Sequence, residues 1–167
     1  GFAVRQQGLM VAPGNPLNVR GWDDLLRPQV RMVNRSLGTG TRLLLDDWLQ
    51  RHGITPARLR GYDHEESSHA AVATCIAAGQ ADTGLGIASA ARQLGLDFVP
   101  LLQEDYWLAC LSDALQTPAV QKLQLLLASP AWLQQLDQLD GYRGASQPGM
   151  VHSLRRTLPW WGHSRPE

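Results

Sequence analysis

The sequence predicts an α/β protein built around a sheet, and three observations carry that expectation. Short apolar runs closed by Gly, Pro or Asn alternate with segments whose apolar residues recur at helical spacing. The helical segments stop at glycines (Gly53, Gly79, Gly95 and Gly141), the residue that most easily takes the left-handed cap conformation. No internal repeat or low-complexity linker breaks the alternation, which fits strands alternating with helices in one architecture.

Taken in order, Gly8 to Ala12 is a short apolar strand ended by the turn Pro13-Gly14-Asn15-Pro16. Trp22 to Leu26 forms a short helical patch between Gly21 and Pro28. Val30 to Asn34 alternates as a strand and runs into Ser36-Leu37-Gly38-Thr39-Gly40-Thr41. Arg42 to His52 places Leu43, Leu44, Leu45, Trp48 and Leu49 at helical spacing. Arg58 to Tyr62 is expected as a short strand, and the polar stretch Asp63 to Ser68 leads into an alanine-rich helix over 70–78. Asp82 to Ile87 reads as a buried strand whose glycines allow close backbone approach. A helix over 88–94 follows, then two strands over 97–102 and 106–111. Pro118 and Pro130 each sit at a helix first turn, opening helices over 118–128 and 130–139. The tail is rich in Gly, Ser and Pro, with Trp160-Trp161 as its main apolar anchor.

Composition excludes several classes. Of 167 residues 44% are hydrophobic and 18% charged, enough apolar matter for a packed core and too much for a disordered tail. Fifteen basic residues balance fifteen acidic ones, so no global field steers the chain to nucleic acid or a membrane surface. All the basic residues but Lys122 are Arg, which suits planar recognition of oxyanions but more often simply reflects a GC-rich genome. No apolar run approaches the roughly 18–20 residues a membrane span needs. Arg5, Gln6 and Gln7 interrupt any signal-peptide core at the start of the chain. Cys75 and Cys110 form neither a CxxC motif nor a disulfide framework and fit a reducing compartment.

Asn34-Arg35-Ser36-Leu37-Gly38-Thr39-Gly40-Thr41-Arg42 is the most informative stretch, because it follows a strand and opens a helix. The first N–H groups of a helix have no intrahelical partner and carry the positive end of its dipole. Glycines admit a ligand to the backbone and the Ser and Thr hydroxyls add donors, giving an anion cradle. An ordinary cap, with Thr39 or Thr41 holding the helix end, fits the same residues. A P-loop is excluded because no Lys precedes the final Ser/Thr. The dinucleotide fingerprint fails because Leu43 stands where a small residue is needed.

His64-Glu65-Glu66-Ser67-Ser68-His69 misses a zinc-protease HExxH by one residue, and its two histidines would diverge by roughly 140° on a helix. Zinc held by this pair is therefore not expected. Ser67 or Ser68 instead caps the alanine-rich helix, either as a plain cap or as a second anion contact. His69 falls in the first turn, where the dipole disfavours a protonated imidazole unless an anion is near. No GxSxG elbow exists, and neither Cys75 in an apolar helix nor Cys110 in a strand reads as activated. Asp46-Asp47 read as a solvated helix face, Asp82 as a cap or turn residue, and Trp48 and Trp132 as helix-core residues.

Several motifs together resemble the periplasmic-binding-protein-like domain attached to bacterial helix-turn-helix regulators and to some molybdopterin-biosynthesis proteins. They are Arg5-Gln6-Gln7-Gly8-Leu9, Pro13-Gly14-Asn15-Pro16, Asn34-Arg35 through Thr41-Arg42, Gly61-Tyr62 and Ser68-His69. Ala81 to Ile87 and Leu96-Asp97-Phe98-Val99-Pro100 complete the match, which spans roughly residues 4 to 143. The resemblance implies a class II fold of two α/β lobes, with one complete lobe over 12–100 and a partial second lobe from 1–11 and 101–167. It implies a ligand-sensing domain, not an enzyme, that holds a small anion such as molybdate, tungstate or sulfate between its lobes and responds by lobe closure. The implied ligand residues are Asn34, Arg35, Ser36, Gly38, Thr39, Gly40, Thr41, Ser68 and His69, with Tyr106 as a rim contact where the chain re-enters the other lobe. No cofactor or resident metal is implied. The partial lobe leaves a sheet edge open, so dimerisation or strand exchange is expected. Relatives that regulate transcription imply a cytoplasmic effector module with no nucleic-acid contact from these residues. A domain of a molybdenum-cofactor biosynthesis enzyme and a truncated, non-binding remnant are the competing readings.

Overall fold

The structure, a computed structural model, describes residues 1–157. Its strands are β1 (Ala3–Val11), β2 (Met32–Arg35), β3 (Glu65–Glu66), β4 (Thr83–Ile87), β5 (Asp97–Tyr106) and β6 (Tyr142–Gly144). Its helices are α1 (Gly40–Arg51), α2 (His69–Ala77), α3 (Ala88–Gln93), α4 (Pro118–Leu127), α5 (Pro130–Asp137) and α6 (Leu154–Thr157). The sheet runs β3-β2-β4-β1-β5, with β6 paired on β1. β2 is parallel to both β3 and β4, and β1 lies antiparallel to β4 with Leu9 opposite Leu85.

Two compact units divide the chain: Arg5–Glu104 with Gln138–Tyr142, and Gly1–Val4 with Asp105–Asp137 and the described residues from Arg143 on. In the larger unit, alternation along the strands sorts the core into two layers. Leu9, Val11, Met32 and Leu85 pack with Leu45, Trp48 and Leu49 of α1 on one face of the sheet. Met10 and Val33 pack with Val72, Ala73, Cys75 and Ile76 of α2 and with Ala90 and Ala91 of α3 on the other. The helices that follow β2 and β3 therefore cover opposite faces, and both begin beside the C-terminal end of β2, the position where open α/β sheets hold ligands. Close packing is built in at Gly84, where an added methyl would stand 2.6 Å from both the Val33 carbonyl oxygen and Val72 Cγ1. In the smaller unit Leu127 and Leu136 are buried, and Phe2 packs between Tyr106 and Trp132 with ring centroids 5.8 and 5.2 Å away.

The structure alters three local expectations. Arg58 to Tyr62 is not a strand: a 3₁₀ turn over Pro56–Arg58 leads to Gly61 at φ +93°, where any side chain would collide with the Met32 carbonyl oxygen. β3 forms later, inside the polar stretch that leads into the alanine-rich helix, because Asn34 N donates to His64 O at 2.7 Å and Ser36 N to Glu66 O at 3.0 Å. The two strands expected over 97–111 are one long strand, β5, that ends at Tyr106. Cys110 thus lies in an exposed irregular segment rather than in a strand. The Trp160-Trp161 anchor falls outside the described residues.

Candidate anion-binding site

Two helix N-termini with the same local grammar flank the end of β2. At α1, Thr39 is the cap: its Oγ1 accepts from Arg42 N at 3.3 Å and donates to Ser36 O at 2.9 Å. Its one hydroxyl proton goes to Ser36 O, so in this structure Thr39 acts as the helix cap. Gly38, at φ +85°, makes the turn into the cap. The N–H groups of Gly40 and Thr41 have no partner among the described residues. Thr41 is buried, and its hydroxyl has no hydrogen-bond partner among the described residues. At α2, Ser68 is the cap, its Oγ accepting from Ala71 N at 3.0 Å, and the N–H groups of His69 and Ala70 have no partner among the described residues.

The two arginines of the β2–α1 segment have opposite environments. Arg42 is fully neutralised: Nε pairs with Asp46 at 3.0 Å, Nη1 donates to Glu65 Oε1 at 2.5 Å, and the guanidinium lies 4.3 Å over the Tyr62 ring. Tyr62 Oη donates to the same Asp46 at 2.7 Å, so Asp46 belongs to this clamp and is not merely part of a solvated face. Arg35, at 8% exposure, has no carboxylate partner among the described residues. Its Nε donates to Glu66 O at 3.2 Å and its Nη2 to Ser67 O at 2.9 Å, while Asn34 Oδ1 accepts from its backbone N–H. A buried guanidinium held only by carbonyl oxygens keeps its full charge, and burial together with the Arg5 charge pulls its pKa down.

Three residues that sequence reasoning left out complete the corner. Arg5 on β1 is paired with Glu104 on β5, its Nε 2.5 Å from Oε1, and Gln7 Nε2 donates to Glu104 Oε2 at 2.7 Å. That bond fixes the Gln7 amide, whose Oε1 is buried without a partner. His69 is half-buried and its Nδ1 is also buried without a partner. Desolvation first, then the charges of Arg35 and Arg5, hold its pKa at about 4, so the ring is neutral at pH 7. Ser36 serves through its backbone, with N bonded to Glu66 and O to Thr39. Tyr106 ends β5 in the smaller unit, its carbonyl accepting from Phe2 N at 2.8 Å. Asn34, Arg35, Ser36, Gly38, Thr39, Gly40, Thr41, Ser68 and His69 all belong to the larger unit.

A buried guanidinium without a carboxylate partner and helix-start amides without partners among the described residues are groups that a ligand acceptor could use, whereas Gln7 Oε1 is itself an acceptor and is not one of them. The mixed sheet with helices on both faces is the class II fold of periplasmic solute-binding proteins and their relatives. Residues 1–128 match the PBP superfamily domain, and the chain belongs to this family. It is 38% identical over 139 residues to the uncharacterized protein YvgK of Bacillus subtilis, covering 83% of this chain and 44% of that one. The chain therefore spans less than half the length of that relative. Among solved structures, a two-component system signal-transduction protein superposes with a TM-score of 0.62 at 17% identity, over 84% of this chain and 54% of the other. A substrate-binding domain assigned to a molybdenum ABC transporter of Clostridium difficile superposes with a TM-score of 0.52 at 15% identity, over 87% and 66%. At these identities the likeness is one of fold.

Proposed function

We propose that this chain is a solute-sensing module that binds a small oxyanion of the molybdate, tungstate or sulfate type at the corner formed by β2, the starts of α1 and α2, and the start of β1. One observation carries the reading: Arg35 is buried with an uncompensated charge, beside a neutral His69 whose Nδ1 has no partner. A buried ion is expensive unless something of opposite sign joins it, and an incoming oxyanion supplies that sign. Arg35, the Gly40, Thr41, His69 and Ala70 amides, and the Thr41 hydroxyl are the donors it would meet. The transporter-type neighbour makes molybdate the first solute to try.

The module acts by binding rather than by turnover, as the effector part of a cytoplasmic transcriptional regulator, and its copies self-associate. Exposed Leu111, Leu125 and Leu126 of the smaller unit support self-association. Sedimentation showing a monomer at every concentration would remove that part alone. The main test is a thermal-shift and calorimetry screen of the full chain against molybdate, tungstate, sulfate, phosphate and small carboxylates. One oxyanion at a hundredfold excess over its Kd should stabilise the fold by about 2.7 kcal/mol. Stabilisation that survives Arg35→Met, or no response to any anion, overturns the assignment.

A further inference from the structure

We propose that His64, Glu66 and Cys75 form a binding site for a divalent transition-metal ion of the zinc class, on the α2 face of the sheet edge. Its ligand side chains are not donors in the anion corner, which Glu66 meets only through its backbone carbonyl, and the site does not rest on that reading. One ligand atom from each of the three residues lies within 4.8 Å of the others. Sequence spacing tests His64 against His69 and finds no shared face; the fold supplies Cys75 instead. Asn34 N and Ser36 N pin the His64 and Glu66 carbonyls to β2, at 2.7 and 3.0 Å. His64 and Glu66 are two apart on this pinned backbone, so both side chains turn to the same face. Glu65 between them turns the other way, toward Arg42 of α1. α2 packs on the face His64 and Glu66 share and brings Cys75 down onto it.

The donor set is imidazole, carboxylate and thiol, the mixture that suits zinc or cobalt and does not suit magnesium or calcium. Cys75 Sγ lies 3.4 Å from Glu66 Oε1 and donates its proton to it. Two ligands of one tetrahedral zinc ion stand roughly 3.5 Å apart, so sulfur and oxygen already hold the spacing an ion would impose. The exposed His64 ring needs only a side-chain rotation to close the third bond, and its exposure leaves a fourth position to water. Binding makes a metal–sulfur bond and breaks the S–H bond, the proton passing by way of Glu66 to solvent.

The test uses the full chain in a Cys110→Ser background, so that Cys75 is the only thiol. Titration with cobalt(II) should give one ion per chain and a thiolate-to-cobalt charge-transfer band in the near ultraviolet, absent in Cys75→Ser. Zinc affinity, read by competition with a chromophoric chelator, should fall at least about tenfold in His64→Ala. His64 is at the surface, so that variant decides the matter even where Cys75→Ser folds poorly. A cobalt complex without the sulfur band, or an unchanged zinc affinity in His64→Ala, overturns the site.

Discussion

The N-termini of α1 and α2 begin the same way and end in opposite electrical states. Each follows an extended segment, each is capped by a hydroxyl, and each leaves two amides unpaired. At α1 the neighbouring arginine, Arg42, is wrapped by Asp46, Glu65 and the Tyr62 ring. At α2 the neighbouring arginine, Arg35, meets only carbonyl oxygens, and the adjacent histidine is kept neutral. A helix start is therefore no receptor in itself. What distinguishes the two is whether the local charge has already been cancelled from within.

The largest effect expected of that difference is at Arg35. Arg35→Met should weaken oxyanion binding by about 2–5 kcal/mol, read in calorimetry as at least ~30-fold. The same change should leave the melting temperature of the anion-free protein unchanged or higher, because it removes an unpaired buried charge. A cooler melt with the anion response intact would reverse the roles assigned to the two arginines. Arg42→Met should do the opposite, costing about 1–3 kcal/mol in urea unfolding by stranding Asp46 and Glu65, with anion affinity changed less than about twofold. Loss of binding in a folded Arg42→Met protein would erase the contrast.

Smaller changes sharpen it. Thr39→Val removes a cap and should cost about 1 kcal/mol of stability with little effect on affinity. Thr41→Val should leave stability alone and weaken binding by about 0.5–1.5 kcal/mol, since its hydroxyl has no other partner. Equal effects of the two on affinity would show that the cap geometry is not what separates them. The least effect belongs to His69, whose ring is partly exposed. Its folded pKa, about 4, lies below the unfolded value near 6.5, so between those pH values the unfolded chain binds more protons. Stability should therefore decline as pH falls through this window, and His69→Gln should flatten the decline in urea midpoints measured at pH 7 and pH 5. A bound anion favours the protonated ring, so affinity should rise over the same descent.

Much of the fold can be read in the chain itself, because alternation, proline and glycine act locally. β4, α2, α3 and α4 lie within a residue or two of their expected bounds. β3 escapes because it is two glutamates long and exists only through its pairing with β2. The site divides along the same line. Thr39, Ser68 and His69 announce themselves by sitting before or within a helix first turn. Arg5, Gln7 and Glu104 do not, since Arg5 and Glu104 meet across 99 residues and carry no local pattern. The Arg-Gln-Gln run is a visible signal, but only the pairing of β1 with β5 turns it into one side of the corner.

Gly84 carries a consequence for that corner although it touches no ligand group. Val33, whose carbonyl it faces, immediately precedes Asn34 and Arg35, and Val72, whose methyl it admits, lies one helical turn beyond His69. The missing side chain thus acts as a gauge block between strand and helix, and the separation of the guanidinium from the imidazole is set from beneath, inside the protein. On the proposed reading, an alanine there should change the calibre of the corner, recorded first in which size of oxyanion stabilises the protein.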